Sequence, residues 1–246
     1  MTAATAPTAA RPYRLILSQG LPDETGARRL RQDLPQAEWR WISRLRRPDD
    51  RLRSLVGRAL IRRLLGQRLG LASAAIPLTT GPHGKPRLAV TPGPHSAWHF
   101  NIAHSGDLVL VGIGPGPLGV DVEHCPDCVD AGLWQQITGQ PPATQEASAP
   151  APDPRTFCAQ WVLREAVLKA CGLGLSADPG SLRLTDADAT GMMRVSGGPA
   201  IEGLQVCLLW SDPAHCAALC LPGTAPRPDA WSLEKWVVSD WIDGLV

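Results

Sequence analysis

Four short stretches hold side chains able to do chemistry. In Gly119-Val120-Asp121-Val122-Glu123 two carboxylates alternate with two valines. Alternate residues of a strand share a face, so a strand here turns Val120 and Val122 to the core and Asp121 with Glu123 to the other side. Their Cα atoms then lie about 6.6 Å apart, and carboxylates that close repel unless a cation or a proton sits between them. They either converge on one hard cation or line a solvated strand face, and the pair alone leaves both readings open. In the stretch from Trp161 to Ala170, Trp161, Glu165 and Lys169 recur every four residues and fall on one helical face. Val162, Ala166 and Ala170 form the adjacent apolar ridge, and Gly172-Leu173-Gly174-Leu175 supplies a helix end. An exposed Glu–Lys pair contributes only about 0.3–0.5 kcal/mol; a buried tryptophan beside it argues for more than a surface pair. In Phe100-Asn101-Ile102-Ala103-His104-Ser105 the histidine stands at a strand end, where it either donates to a phosphate or is a turn residue in water. Gly84-Lys85-Pro86 fixes a cation in a tight turn.

These residues need elements to position them. Residues 13–18 read as a strand and residues 23–47 as helical, through Leu30, Leu34, Trp41 and Leu45. Pro48-Asp49-Asp50 signals a helix start, with Asp as the cap. The helix that follows has an apolar stripe including Leu55, Val56, Leu60 and Leu64, and carries Arg51, Arg53, Arg58, Arg62, Arg63 and Arg68 on the rest of its surface. Residues 81–87 read as a turn. Residues 98–103 and 108–113 pair as strands. Gly114-Pro115-Gly116-Pro117 is a breaker cluster and divides the chain. The expected organisation is a disordered leader over residues 1–11, an N-terminal lobe over 12–115, a C-terminal lobe over 116–222 and a tail over 223–246. Within the second lobe, residues 118–123 read as a strand, 131–137 as a short helix, 138–154 as a long mobile loop and 156–171 as a strong helix. Residues 182–184, 192–195, 205–209 and 217–221 read as strands. Trp231, Trp236 and Trp241 of the tail fit an amphipathic helix packed on the body.

Charge separates the two halves. Residues 1–115 hold 17 Lys+Arg against 7 Asp+Glu, and the remainder holds 7 against 16. No acid occurs between Arg51 and Gly106. A basic half points to a phosphate-bearing partner and an acidic half to metal binding, or the two halves simply attract each other. Lysine is scarce, with Lys85, Lys169 and Lys235 against 21 arginines, so a retained lysine suggests a need for a compact ammonium. Apolar runs such as residues 108–113 are far too short to span a bilayer, and the first residues lack the pattern of a signal peptide. A cytoplasmic protein is expected, with its seven cysteines reduced. Cys125 and Cys128 have CxxC spacing beside His124, and His215, Cys216 and Cys220 form a second group. Zinc is one reading of these groups. A Pro-containing loop and small apolar strand residues are the other, since two well-spaced ligand pairs are missing.

Taken in order, the four motifs resemble those of the 4′-phosphopantetheinyl transferase superfamily: a G-K-P turn, an F-N-x-[SA]-H-S strand end, G-[IV]-D-[IV]-E and W-x-x-[KR]-E-A-x-x-K-A-x-G-x-G-L. The resemblance runs from about Arg53 to Leu175, and the chain length is similar to the longer, surfactin-synthetase-activating (Sfp-like) type. It implies an α+β fold of two similar lobes related by pseudo-twofold symmetry, each a small antiparallel sheet packed on a long helix. It also implies transfer of the phosphopantetheine arm of coenzyme A to a serine of an apo acyl or peptidyl carrier protein, with release of 3′,5′-ADP, by a monomer that uses neither nucleic acid nor membrane. By the same resemblance Asp121, Glu123 and Glu165 ligate Mg²⁺, and Glu165, or a metal-bound water beside Glu123, takes the serine proton. Lys169 stabilises the departing 3′,5′-ADP. Arg53, Lys85, Pro86, His104 and Ser105 line the coenzyme A site. Two departures stand out: Ala103 replaces a frequent Ser, and Arg164 a frequent Lys.

Two rival readings use the same residues. One is another metal-dependent phosphotransferase or a nuclease built on the three carboxylates. The other is a nucleic-acid binder that uses the Arg-rich helix, which predicts steep salt dependence and indifference to Mg²⁺.

Overall fold

The computed structural model describes residues 13–81, 85–89, 98–141, 152–174, 177–224 and 231–242. The leader, Gly84, Leu175, most of the 138–154 loop and residues 225–230 of the tail lie outside the described residues. The fold is α+β, with small, mostly antiparallel sheets. The first sheet has the order β11 (Trp231–Val237), β1 (Tyr13–Gln19), β5 (Leu108–Gly114), β4 (His99–Ser105). The second runs β6 (Gly119–His124), β10 (His215–Pro222), β9 (Leu204–Ser211), β8 (Met193–Ser196), β7 (Arg183–Leu184). A ribbon of β2 (Leu78–Thr80) and β3 (Pro86–Leu88) flanks the turn around Lys85.

Alternation along the strands produces four layers. Leu15, Leu17, Leu108 and Leu110 of the first sheet meet Leu118, Val120, Val122 and Leu219 of the second in one shared core. The outer face of the first sheet, with Ile16, Val109 and Val111, is covered by α3 (Pro48–Leu69) through Leu55, Val56, Leu60 and Leu64. The outer face of the second, with Cys216, Ala218 and Cys220, is covered by α5 (Pro154–Cys171) through Val162, Ala166 and Val167. Each long helix lies close because a glycine lets it. A Cβ on Gly57 of α3 would stand 2.6 Å from Ile102 Cγ2, and one on Gly119 of β6 would stand 1.9 Å from the Ala166 carbonyl oxygen of α5.

Several elements differ from the sequence expectation for physical reasons. The helical stretch 23–47 is two helices, α1 (Glu24–Arg31) and α2 (Gln36–Ile42), with Pro35 at the N-cap of the second. Asp49 and Asp50 do not cap α3. Pro48 takes its first turn and Arg47 the cap position, so the two acids sit in the first turn, where they complement the helix dipole. The tail is a strand before it is a helix: β11 lies parallel to β1, pairing Tyr13 with Trp231 and Ser18 with Trp236. Only Trp241 is helical, on α6 (Val238–Ile242), where it is buried and donates Nε1–H to Ser18 Oγ at 3.0 Å. A short helix α4 (Ala131–Thr138) follows β6, capped by Asp130. Among the described residues no helix is long and apolar enough to cross a membrane.

Candidate active site

Strand β6 and helix α5 face each other along one seam. The alternation expected of the strand holds: Val120 and Val122 join the core between the sheets, leaving Asp121 and Glu123 on the α5 side. That side is not a solvated face. Asp121 is 1% exposed and Glu123 half-buried, because α5 lies directly across the strand. On the helix, Glu165 is buried and Lys169 half-buried. Trp161 is only half-buried, packing with Val129, Ile137 and Phe157.

Lys169 does not settle into a helix-surface pair with Glu165. It crosses to the strand and donates to Asp121 Oδ1 at 2.5 Å. The second oxygen of Asp121, Oδ2, and Oε1 of Glu165 are buried with no hydrogen-bond partner among the described residues. Burial pushes the Asp121 carboxyl up to about 7, with Lys169 opposing the rise and Glu123 and Glu165 adding to it. Burial likewise raises the Glu165 carboxyl, against Lys169 and with a further push from Glu123. The three acids therefore sense one another, with a single ammonium offsetting them. Arg164, next to Glu165, points elsewhere: it is buried and donates to Gln160 and to the Thr138 carbonyl, tying α5 to the end of α4.

The first sheet brings its own residues to the same junction. Edge strand β4 lies beside edge strand β6, and two side chains stitch them together. Asn101 Oδ1 accepts from Val120 N–H at 2.8 Å, and Ser105 Oγ accepts from His124 N–H at 3.0 Å. Ser105 thus fixes the strand that carries the acids. Asn101, part of the F-N-x-A-H-S motif but given no role from sequence, does the same from a buried position. His104 stands between these two stitches. Its pKa is lowered first by desolvation of the ring and then by the charges of Arg53 and Lys169, with Asp50 pulling upward. Arg53 reaches the β4–β5 turn, donating to Gly106 O at 2.6 Å and to Asp50 Oδ1 at 2.7 Å. Lys85 donates to the carbonyls of Leu118 and Lys169, so it holds the end of α5 to the start of β6, and burial lowers its pKa to about 8. Pro86 pairs with Thr80 and lines a surface cavity with Trp41 and Arg58, a different set of residues from those around His104.

Two family descriptions fit this chain in succession. The N-terminal part of 4′-phosphopantetheinyl transferase matches residues 21–114, and the 4′-phosphopantetheinyl transferase superfamily matches residues 117–219, which span β6 and α5. The chain belongs to the 4′-phosphopantetheinyl transferase superfamily. It is 29% identical to the Bacillus pumilus 4′-phosphopantetheinyl transferase psf-1 over 76% of this chain and 78% of that protein. It is 29% identical to a phosphopantetheinyl transferase of Thraustochytrium over 94% of this chain and 84% of that one. To the Bacillus subtilis 4′-phosphopantetheinyl transferase Sfp it is 28% identical over 74% and 77%. These relatives place it with the longer, Sfp-like transferases.

In this transferase the seam also passes a chemical test for a hard divalent cation. The available donors are carboxylate oxygens, which Mg²⁺ prefers, and two of them are buried with nothing to bond. A buried carboxylate oxygen left bare is costly, so a ligand that satisfies Asp121 Oδ2 and Glu165 Oε1 would relieve it. Among the described residues the oxygens of Asp121, Glu123 and Glu165 do not all close to within 4.8 Å of one another.

Proposed function

We propose that this transferase moves the phosphopantetheine arm of coenzyme A to a serine of an apo carrier protein at the β4–β6–α5 junction. The observation that carries the reading is the pair of bare, buried carboxylate oxygens at Asp121 and Glu165, set beside Lys169, with His104 on the neighbouring strand β4. The serine oxygen forms a bond to the β-phosphorus of coenzyme A, the bond from that phosphorus to the bridging oxygen breaks, and 3′,5′-ADP leaves. Asp121, Glu123 and Glu165 would hold Mg²⁺. Bound there, Mg²⁺ supplies charge neutralisation on the pyrophosphate.

The protein's own groups do the rest. Glu165, or a water held beside Glu123, takes the serine proton. The Lys169 ammonium offsets charge as it builds on the leaving 3′,5′-ADP. His104 and Arg53 hold the 3′-phosphate of coenzyme A, while Pro86 contributes by fixing the turn that carries Lys85 rather than by contact. In this arrangement Lys85 and Ser105 also act as positioning residues, since each bonds the backbone that carries the acids or Lys169. The two halves act as similar lobes around a pseudo-twofold axis, an arrangement supported by a long helix on the outer face of each sheet. The enzyme works as a cytoplasmic monomer.

The test is to incubate the protein with coenzyme A, Mg²⁺ and a panel of apo acyl and peptidyl carriers. A carrier that gains one phosphopantetheine group on its serine supports the reading. If no carrier is modified while nucleic acid is hydrolysed with Mg²⁺, the rival phosphotransferase or nuclease reading replaces it.

A further inference from the structure

The seam between β6 and α5 does not end at the carboxylates. Asp121, Glu123 and then Cys125 follow one another at alternate positions, while Lys169, Glu165 and Cys158 descend the facing helix. Cys216 of β10 stands opposite Glu123 in the strand ladder. The Sγ atoms of Cys125, Cys158 and Cys216 all lie within 4.8 Å of one another, with Cys125 and Cys216 4.0 Å apart. All three residues are buried. A single buried cysteine is explained by packing, since it behaves as a small apolar residue. Three sulfurs converging from a loop, a helix and a strand are not explained that way. Nor are they a disulfide, whose sulfurs sit about 2.05 Å apart.

We propose that Cys125, Cys158 and Cys216 form a three-coordinate, all-sulfur site for a soft monovalent cation of the cuprous class. Thiolates select soft ions and reject Mg²⁺ and Ca²⁺, which take oxygen. Structural zinc takes four ligands, and among the described residues no His, Asp, Glu or further Cys joins the three. His215 is engaged by Asp212 and stacks on Trp210, and the ring of His124 meets it edge-on at 5.0 Å. Cys128, which the CxxC spacing pairs with Cys125, is exposed and outside the group. Each cysteine that binds gives its thiol proton to solvent as the metal–sulfur bond forms. Arg155, in the first turn of α5, supplies a positive charge that acts on Cys125 and Cys216. One seam thus offers hard oxygen ligands at one end and soft sulfur ligands at the other.

The experiment titrates the reduced full chain with cuprous ion under anaerobic conditions, in competition with bathocuproine disulfonate. One ion per chain is expected, with three sulfur neighbours and no nitrogen by X-ray absorption. Cys158→Ser should weaken binding by more than the roughly 100-fold that loss of a supporting hydrogen-bond partner costs a metal site. Cys128→Ser should leave it unchanged. Should Cys158→Ser fail to fold, alkylation of the native wild-type protein still decides. The ion should lower the alkylation rates of Cys125, Cys158 and Cys216 below those of the same protein without it, while Cys128 reacts at the same rate in both. Uniform protection of all cysteines, equal loss in Cys128→Ser and Cys158→Ser, or tighter binding of Zn²⁺ in a four-coordinate shell would each overturn the proposal.

Discussion

The two long helices of this transferase treat charge in opposite ways. On α3, three arginines are matched by acids that the sequence places 20 to 30 residues away. Arg58 and Arg62 share Glu38, which is mostly buried with them, and Arg63 pairs with Asp33 at 2.9 Å. Arg62 also donates to the carbonyls of Ser73 and Ile76. On α5 and its facing strand the acids outnumber their cation, and two buried carboxylate oxygens bond to nothing described. A buried charge with a complete set of partners holds structure together; one left incomplete calls for an explanation, and a bound ion is one. The basic half of the sequence therefore overstates its capacity for phosphate. Much of its positive charge is used within the fold, and even Arg53, whose charge acts on His104 at the junction, is paired with Asp50.

Four substitutions or titrations probe that contrast. The largest effect is expected at Glu165→Gln, which should lower transfer by about a thousand-fold, or ~4 kcal/mol of barrier, with little loss of thermal stability. Carrier-modification rates and a melting curve on the same sample check it, and a large drop in stability would recast Glu165 as structural. Glu38→Gln should do the reverse. Leaving Arg58 and Arg62 without their carboxylate should cost roughly 3 kcal/mol of folding stability, read by denaturant unfolding, while the folded fraction keeps its turnover. Next, His104→Ala should shrink the preference for coenzyme A over its 3′-dephospho form by roughly ten- to a hundred-fold, as expected for one charge-assisted hydrogen bond. The ratio of kcat/KM for the two donors measures it.

The smallest effect concerns pH. The folded Asp121 carboxyl, at about 7, keeps its proton where the unfolded chain, near 3.8, has lost it. Its contribution to stability is therefore lost as pH rises from about 4 through 7. A cation that replaces the proton restores it. The rise in Tm on adding Mg²⁺ should be larger at pH 8 than at pH 6, and Asp121→Asn should remove that difference.

Much of the site is legible in the sequence because its signals are local. The D-x-E alternation put Asp121 and Glu123 on one face, and the four-residue spacing put Glu165 and Lys169 on one face of a helix. Spacing alone did not show that these two faces meet; only the resemblance, by giving Asp121, Glu123 and Glu165 one cation, implied it. The close approach depends on Gly119, which lets α5 come near until Asp121 is enclosed, so the strand face is interior and not solvated. The partners of Lys85 are backbone carbonyls up to 84 residues away, which no spacing rule reveals. The tail was opaque for a related reason: β11 pairs with β1 from the opposite end of the chain, and its tryptophans suggested a helix. The cysteines were grouped by sequence neighbourhood, whereas the fold selects one from each group and adds Cys158 from α5.

Under the proposed function, the incomplete charges of the β6–α5 seam carry the transfer. The most direct test is the intact mass of an apo carrier after incubation with coenzyme A, Mg²⁺ and either the wild-type protein or Asp121→Asn, with both shown to be folded. The wild type is expected to add one phosphopantetheine group to the carrier and the variant to leave it almost entirely unmodified. Equal modification by both proteins, with an unchanged need for Mg²⁺, would contradict it.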